Sequence, residues 1–201
     1  MLMTQARDDD TIEFYARETV AYTARGKGAS SRLQTFLAAL PAGGIILELG
    51  CGAGQDSEAM LALGFDARPT DGTPEMARSA SARLGIPVKT LLFEDIDERN
   101  IYDGVWANAC LLHVPRSSLP SIIERIYNAL KSNGVFYASY KAGEAEGRDD
   151  FDRFYNYPSK GWLSDVYQQL PWASLTIDTS NKGSGYDNKP TDWLHVTAVK
   201  L

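Results

Sequence analysis

The chain has 201 residues, 44% hydrophobic and 23% charged, with a formal net charge of −6 and a sequence pI near 5.0. That length buries about 70% of the unfolded surface and defaults to one domain, residues 1–201. The acidic balance argues against nucleic acid or anionic lipid as a partner, because phosphate binding needs a basic stripe, and leaves a small or neutral substrate. Met1–Asp10 is polar and acidic, and no apolar run is long enough to span a bilayer, so no membrane segment is expected and the reading is cytoplasmic. Cys51 and Cys110, the only cysteines, each end an apolar run, where a thiol serves as a small buried hydrophobe; neither a disulfide nor a metal site is expected.

In chain order, Ile12, Tyr15, Thr19 and Tyr22 recur at helical spacing behind the capping candidates Asp10 and Thr11, and Gly26 and Gly28 end that helix. A second helix follows Ser30 and Ser31 with Leu33, Phe36, Leu37 and Leu40 on one stripe, closed by Pro41. Strand one is Ile45–Leu49; a glycine turn feeds a helix carrying Ala59, Met60 and Leu63, which Gly64 stops. Strand two starts at Phe65 and is expected to end before Pro69, since proline cannot donate to a ladder. Thr73-Pro74-Glu75 opens a helix that Gly85 stops. Val88–Phe93 and Gly104–Ala109 read as strands three and four. Ser118 and Pro120 open a helix that Asn133-Gly134 is expected to close, before strand five, Val135–Tyr140. Residues 141–160 show no period and read as a long loop. A stripe through Trp162, Val166 and Leu170 makes a last helix, and Ser174–Thr179 with Trp193–Lys200 makes a terminal antiparallel pair. Alternating strands and helices predict an α/β, Rossmann-like three-layer sandwich: a mostly parallel seven-stranded sheet with an antiparallel C-terminal hairpin.

The turn Gly50-Cys51-Gly52-Ala53-Gly54 follows an apolar strand and opens a helix, the context in which glycines let backbone pass close under a nucleotide. Asp71, about 20 residues on, stands where a carboxylate grips ribose hydroxyls, or else caps the next helix. Glu48, a charge in a buried strand, needs a partner: a cofactor ammonium, or a structural Arg or Lys. His113, beyond strand four, fits a general base, a substrate or cofactor contact, or a structural hydrogen-bonder. The 141–160 loop, with Lys141, Arg148, Asp149, Arg153 and Tyr155, hangs from strand five and either lines a substrate pocket or is solvated. Tyr15 and Tyr22 offer substrate contact or core packing.

The segments Glu48–Gly54, Asp71 with Thr73–Met76, and Tyr102–Ala107 together resemble class I S-adenosylmethionine-dependent methyltransferases, over roughly residues 10–141. The resemblance implies S-adenosylmethionine as cofactor and S-adenosylhomocysteine as product; with the acidic balance, the expected acceptor is a small molecule of unidentified chemistry. It also implies a helical N-terminal cap (about 10–40) and a substrate-side loop (about 141–160). The implied cofactor set is Glu48, Gly50, Cys51, Gly52, Gly54, Asp56, Asp71, Gly72, Met76, Phe93, Glu94 and Asn108. His113 is the catalytic candidate, and Tyr15, Tyr22, Lys141 and Arg148 are the substrate candidates. Many members carry an acid where this chain has Leu92, so the adenine contact falls to backbone groups, Glu94 or Asp95. Two other readings stay open: a sensor or scaffold that binds the cofactor without turnover, and a nicotinamide-dependent reductase, which should show G-x-G-x-x-G spacing.

Overall fold

In the computed structural model, which describes residues 6–25, 28–184, 186 and 189–201, the first helix is α1 (Asp9–Thr23). Its cap is Asp8 rather than Asp10 or Thr11. The Asp8 carboxylate accepts from both the backbone N–H (2.9 Å) and the hydroxyl (2.7 Å) of Thr11, leaving Asp9 and Asp10 in the first turn, where the helix dipole favours acids. α1 stops at Ala24, ahead of both expected glycines, of which Gly26 lies outside the described residues. Helix α2 (Leu33–Ala38) buries Leu33, Phe36 and Leu37. Strand β1 (Ile45–Glu48) then runs through the glycine turn into α3 (Gln55–Ala62).

Strand β2 (Asp66–Asp71) does not end before Pro69 but passes through it. Asp71 gives its carbonyl to Leu91 on the outer side, and by alternation the Pro69 nitrogen faces that same side. The next strand, β3 (Lys89–Thr90), pairs only with Thr70 and Asp71, so the donor that proline lacks has no ladder to serve. β3 is also shorter than Val88–Phe93, because it is a sheet edge and Phe93–Asp95 turn away as a 3₁₀ turn. Between β2 and β3 lies α4 (Pro74–Leu84), stopped by Gly85 at φ 68°.

Strand β4 (Tyr102–Ala107) ends two residues early, since Ala109 turns left-handed (φ 55°) and takes its N–H to the Ser139 hydroxyl (2.8 Å). Helix α5 (Leu119–Ala129) stops before Asn133-Gly134. Leu130 already belongs to β5 (Leu130–Lys141), paired with Tyr102, and left-handed Asn133 (φ 64°) sits in an irregularity of that pairing rather than at a helix cap. The 141–160 stretch is not wholly a loop: β6 (Gly147–Arg148) and β7 (Phe154–Tyr155) form a short antiparallel ribbon. Helix α6 (Lys160–Tyr167) and the long pair β8 (Trp172–Ser184) and β9 (Pro190–Lys200) complete the chain.

The main sheet has the order β3-β2-β1-β4-β5-β9-β8, with β1 to β5 parallel and β9 antiparallel to both neighbours. Alternation along the strands divides the core into two layers. Ile46, Trp106 and Tyr137 pack with α2 and α3, while Leu47, Val105 and Phe136 pack with α5 and α6. The order reverses between β1 and β4, so a crevice opens outside their carboxyl ends, the place where α/β sheets bind ligands.

Candidate active site

At that crevice Gly50, Gly52 and Gly54 adopt φ of 62°, 56° and 80°, a region that costs other residues about 1–2 kcal/mol. Gly50 also has no room for a side chain: a Cβ there would lie 2.5 Å from the Cys110 Cβ. A Cβ on Gly52 would touch the Tyr22 ring of α1 at 3.4 Å, so bare backbone forms a floor and α1 a roof. Gly54 instead packs toward Leu84 and starts α3.

Two chambers lie between floor and roof and share Tyr15, Tyr22, Gly50, Gly52, Ala109 and His113 in their walls. The smaller, about 100 Å³, is bounded by Asp71, Gly72, Met76, Leu91, Leu92 and Phe93. The larger, about 900 Å³, is bounded by Glu48, Cys51, Asp56, Asn108, Lys141 and Arg153 among others. Both cysteines are free, and burial pushes their thiols up, so they act as small apolar wall residues.

Three acids meet the turn. Asp71, buried, accepts from the Gly52 N–H (3.0 Å) on one oxygen and from the Thr73 N–H (2.9 Å) on the other. The Thr73 bond braces the turn ahead of α4, whose N-cap is Thr73 itself, so Asp71 faces the glycine turn and does not cap the helix. Burial raises its pKa to about 6, against the two backbone N–H groups that favour the charged form. Glu48 is 3% exposed and accepts from the Ser57 hydroxyl. Among the described residues no Arg or Lys pairs with it, and burial, reinforced by Asp56 and Asp71, raises its pKa to about 8. Asp56 is satisfied by protein donors: the Ser30 N–H (2.6 Å), the Trp106 indole (2.8 Å) and the Asn108 amide (3.3 Å). It thereby ties the α1–α2 connection to the sheet.

His113 is held from both sides. Its Nδ1 lies 2.6 Å from the Phe154 carbonyl, which can only accept, so Nδ1 carries the proton and Nε2 accepts from the Tyr15 hydroxyl at 3.1 Å. Burial lowers its pKa to about 4; the Phe154 bond opposes this and Arg153 adds to it. Arg153 donates to Tyr15 (2.9 Å), forms a buried ion pair with Asp149 (2.5 Å), and has the rings of Phe14 and Tyr186 at 5.0 Å. The β6–β7 ribbon is thus strapped onto α1, helped by the Thr11 hydroxyl, which accepts from the Phe154 N–H (2.8 Å).

Of the residues expected at a site, Gly54, Arg148 and Glu94 do not line either chamber. Arg148 pairs with Asp8 (2.7 Å) and Asp10 (3.2 Å) as part of the strap, and Glu94 pairs with Arg7 (3.8 Å). Conversely, Tyr137, Ser139 and His195 line the larger chamber and were not expected there. The Tyr137 hydroxyl lies 2.9 Å from His195 Nδ1, and Ser139 donates to the Asn108 side chain (2.9 Å). The signal was present: Tyr137, Ser139 and Lys141 share one face of β5 by period two, and antiparallel register sets Ser139 beside His195.

A methyltransferase-domain family model matches residues 21–168 of the chain. The chain belongs to that family, and its sheet, crevice and glycine turn have the class I fold of S-adenosylmethionine-dependent methyltransferases. A ubiquinone biosynthesis O-methyltransferase from Xanthomonas axonopodis pv. citri is 34% identical over 106 residues, 49% of this chain. That match spans 44% of the relative's length. Among solved structures, a S-adenosylmethionine-dependent methyltransferase from Methanosarcina mazei superposes with a TM-score of 0.73 at 15% identity, covering 87% of this chain and 99% of that one. The Burkholderia thailandensis 1,6-didemethyltoxoflavin-N1-methyltransferase, solved with 1,6-didemethyltoxoflavin and S-adenosylhomocysteine, gives 0.68 at 19% identity over 100% and 93% of the two chains.

Proposed function

We propose that this methyltransferase uses S-adenosylmethionine as donor and a small molecule as acceptor, releasing S-adenosylhomocysteine. The observation that carries the reading is the Gly52 N–H bonded to the Asp71 carboxylate: it joins the left-handed turn to the acid suited to a ribose, in one chamber. Met76, Leu91, Leu92 and Phe93 supply an apolar sleeve for the adenine, and Glu48 an acceptor for the ammonium, so the donor set fits the group. When bound, S-adenosylmethionine would supply an electrophilic methyl on a sulfonium, with the thioether as its leaving group. The protein's part is alignment and water exclusion. Tyr15 and Tyr22 roof the turn, and His113, with both nitrogens engaged, serves as a positioning residue for Tyr15 rather than as the base. The larger chamber, within the size range of small-molecule sites, gives an acceptor room beside the turn and favours turnover over a sensor.

Calorimetry of S-adenosylhomocysteine with the wild type and Asp71→Asn tests the reading. Loss of charge-assisted ribose bonds of about 1.5–3 kcal/mol predicts affinity weaker by about tenfold or more. Equal affinity in the variant would reduce Asp71 to a turn brace, and no binding by the wild type would remove the cofactor assignment.

A further inference from the structure

Each cation in the wall of the larger chamber is already met by the protein. Arg25 donates to the Tyr186 carbonyl (2.9 Å), Arg153 pairs with Asp149 (2.5 Å), and Arg32 pairs with Asp178 (3.7 Å). The Lys141 ammonium sits 4.3 Å from the centroid of the Tyr155 ring. Of the two acids in the wall, Asp56 spends its oxygens on protein donors, and Glu48 is the group suited to the cofactor ammonium. The wall therefore does not call for a charge from the acceptor, and a charge carried in would lose its water for little return.

What the wall offers instead is a line of neutral groups on three adjacent strands, β5, β9 and β8. The Tyr137 hydroxyl lies 2.9 Å from His195 Nδ1, His195 Nε2 lies 2.8 Å from the Ser180 hydroxyl, and all three residues line the chamber. Burial lowers the His195 pKa from 6.5, with Arg32 adding to the effect and Asp178 opposing it, so the imidazole is uncharged at neutral pH. The line holds three hydrogens, two on hydroxyls and one on the ring, and its two bonds use two of them. One hydrogen is left over. It stands at Ser180 when Nε2 carries the ring proton and at Tyr137 when Nδ1 does, and the opposite hydroxyl then offers lone pairs alone. An anion can meet only the end that keeps the hydrogen, and a cation leaves that hydrogen unmet. A neutral group with both a hydrogen and a lone pair meets either end in either tautomer.

Tyr137, Tyr155 and Trp193 give the same chamber flat rings. Tyr137 is stacked on Trp106 (4.1 Å) and Tyr155 on Tyr157 (5.1 Å), and neither backing ring lines the chamber, so the front rings are braced from behind. Such walls favour a planar body. From this placement we infer that the acceptor is an uncharged planar ring compound carrying a hydroxyl or amide, which hydrogen-bonds to the Tyr137–His195–Ser180 line. The inference rests on the cofactor reading above and adds the acceptor's chemistry to it.

The test uses the full chain saturated with S-adenosylhomocysteine and titrated by calorimetry at neutral pH with naphthalene probes. Here 2-naphthol and 2-naphthamide carry the group as hydroxyl or as amide and separate those sources. As controls, 2-methoxynaphthalene lacks the hydrogen, 2-naphthoate adds a negative charge, and decahydro-2-naphthol keeps the hydroxyl on a ring system that is not planar. The naphthol or the naphthamide should bind about fivefold or more tightly than each control. Its excess over 2-methoxynaphthalene should fall by about half or more in Tyr137→Phe or in Ser180→Ala, each of which removes one hydroxyl of the line, with S-adenosylhomocysteine affinity unchanged. Ser180 is only half-buried, so its variant keeps the test open where Tyr137→Phe fails to fold. Equal or tighter binding of any control, no binding of naphthol or naphthamide at millimolar concentration, or an excess untouched in both variants would overturn the proposal. So would a loss matched by weaker S-adenosylhomocysteine binding, which marks a structural role. Failure of S-adenosylhomocysteine to bind the wild type would instead strike the cofactor reading.

Discussion

Glu48 is a carboxyl group held where charge is expensive, and its pH behaviour follows from that. Burial raises it from 4.5 to about 8, so between those values the unfolded chain ionises while the folded one keeps its proton. Its contribution to stability is complete below pH 4.5 and is lost as pH rises through 8. Asp71, raised from 3.8 to about 6, has the same sign at lower pH. His113, lowered from 6.5 to about 4, has the opposite sign, and its contribution is lost as pH falls through that window. From pH 6.5 to 8 Glu48 alone of these three titrates, so the urea midpoint should drop across that interval. Glu48→Gln, which can still accept from Ser57, should flatten the drop; an equal drop in the variant would show that Glu48 is ionised in the folded protein. The glycine turn and Asp71 were legible in the sequence because backbone geometry and strand-end position are local properties. The partners of Glu48 were not, since a serine nine positions on, brought round by a helix turn, carries no sequence mark of pairing with it.

At the scale of elements, the strap over α1 is held chiefly by Arg153, which joins Tyr15, Asp149 and a ring of aromatics while only 1% exposed. Arg153→Lys keeps the charge and loses the planar fork that reaches Tyr15 and Asp149 together. Leaving a buried polar partner unmade costs about 1–3 kcal/mol. Amide exchange across 9–23 should therefore accelerate about tenfold or more relative to the α5 core. Uniform acceleration through the whole chain would mean that the residue supports global stability and is no strap. The helices and parallel strands that build the crevice were readable from period and punctuation. The ribbon was not, because two-residue strands fall below any periodic signal and their register depends on contacts with an α1 more than 130 residues away. The same distance hid the choice between Arg148 and Arg153: both are cations in one loop, and only the fold sends one outward to Asp8 and the other inward to Tyr15.

For the whole molecule, the turn, the end of β2, the residues after β4, β5, α1 and the strap each contribute to the walls of adjoining chambers, so a ligand there would touch parts of the chain from Tyr15 to His195. A ligand that binds only this assembled state adds its free energy to global folding. S-adenosylhomocysteine at about a hundred times its dissociation constant should contribute about 2.7 kcal/mol. For a chain of this length each kcal/mol moves the melting temperature by about 2–4 °C, which gives a rise of about 5–10 °C. Amide exchange should slow both in α1 and at residues 50–54, because roof and floor close on the same ligand. A rise in melting temperature with protection confined to residues 50–54 would mean that the turn binds alone and the roof plays no part. No rise at all would mean that the walls, though assembled, do not form this cofactor's site.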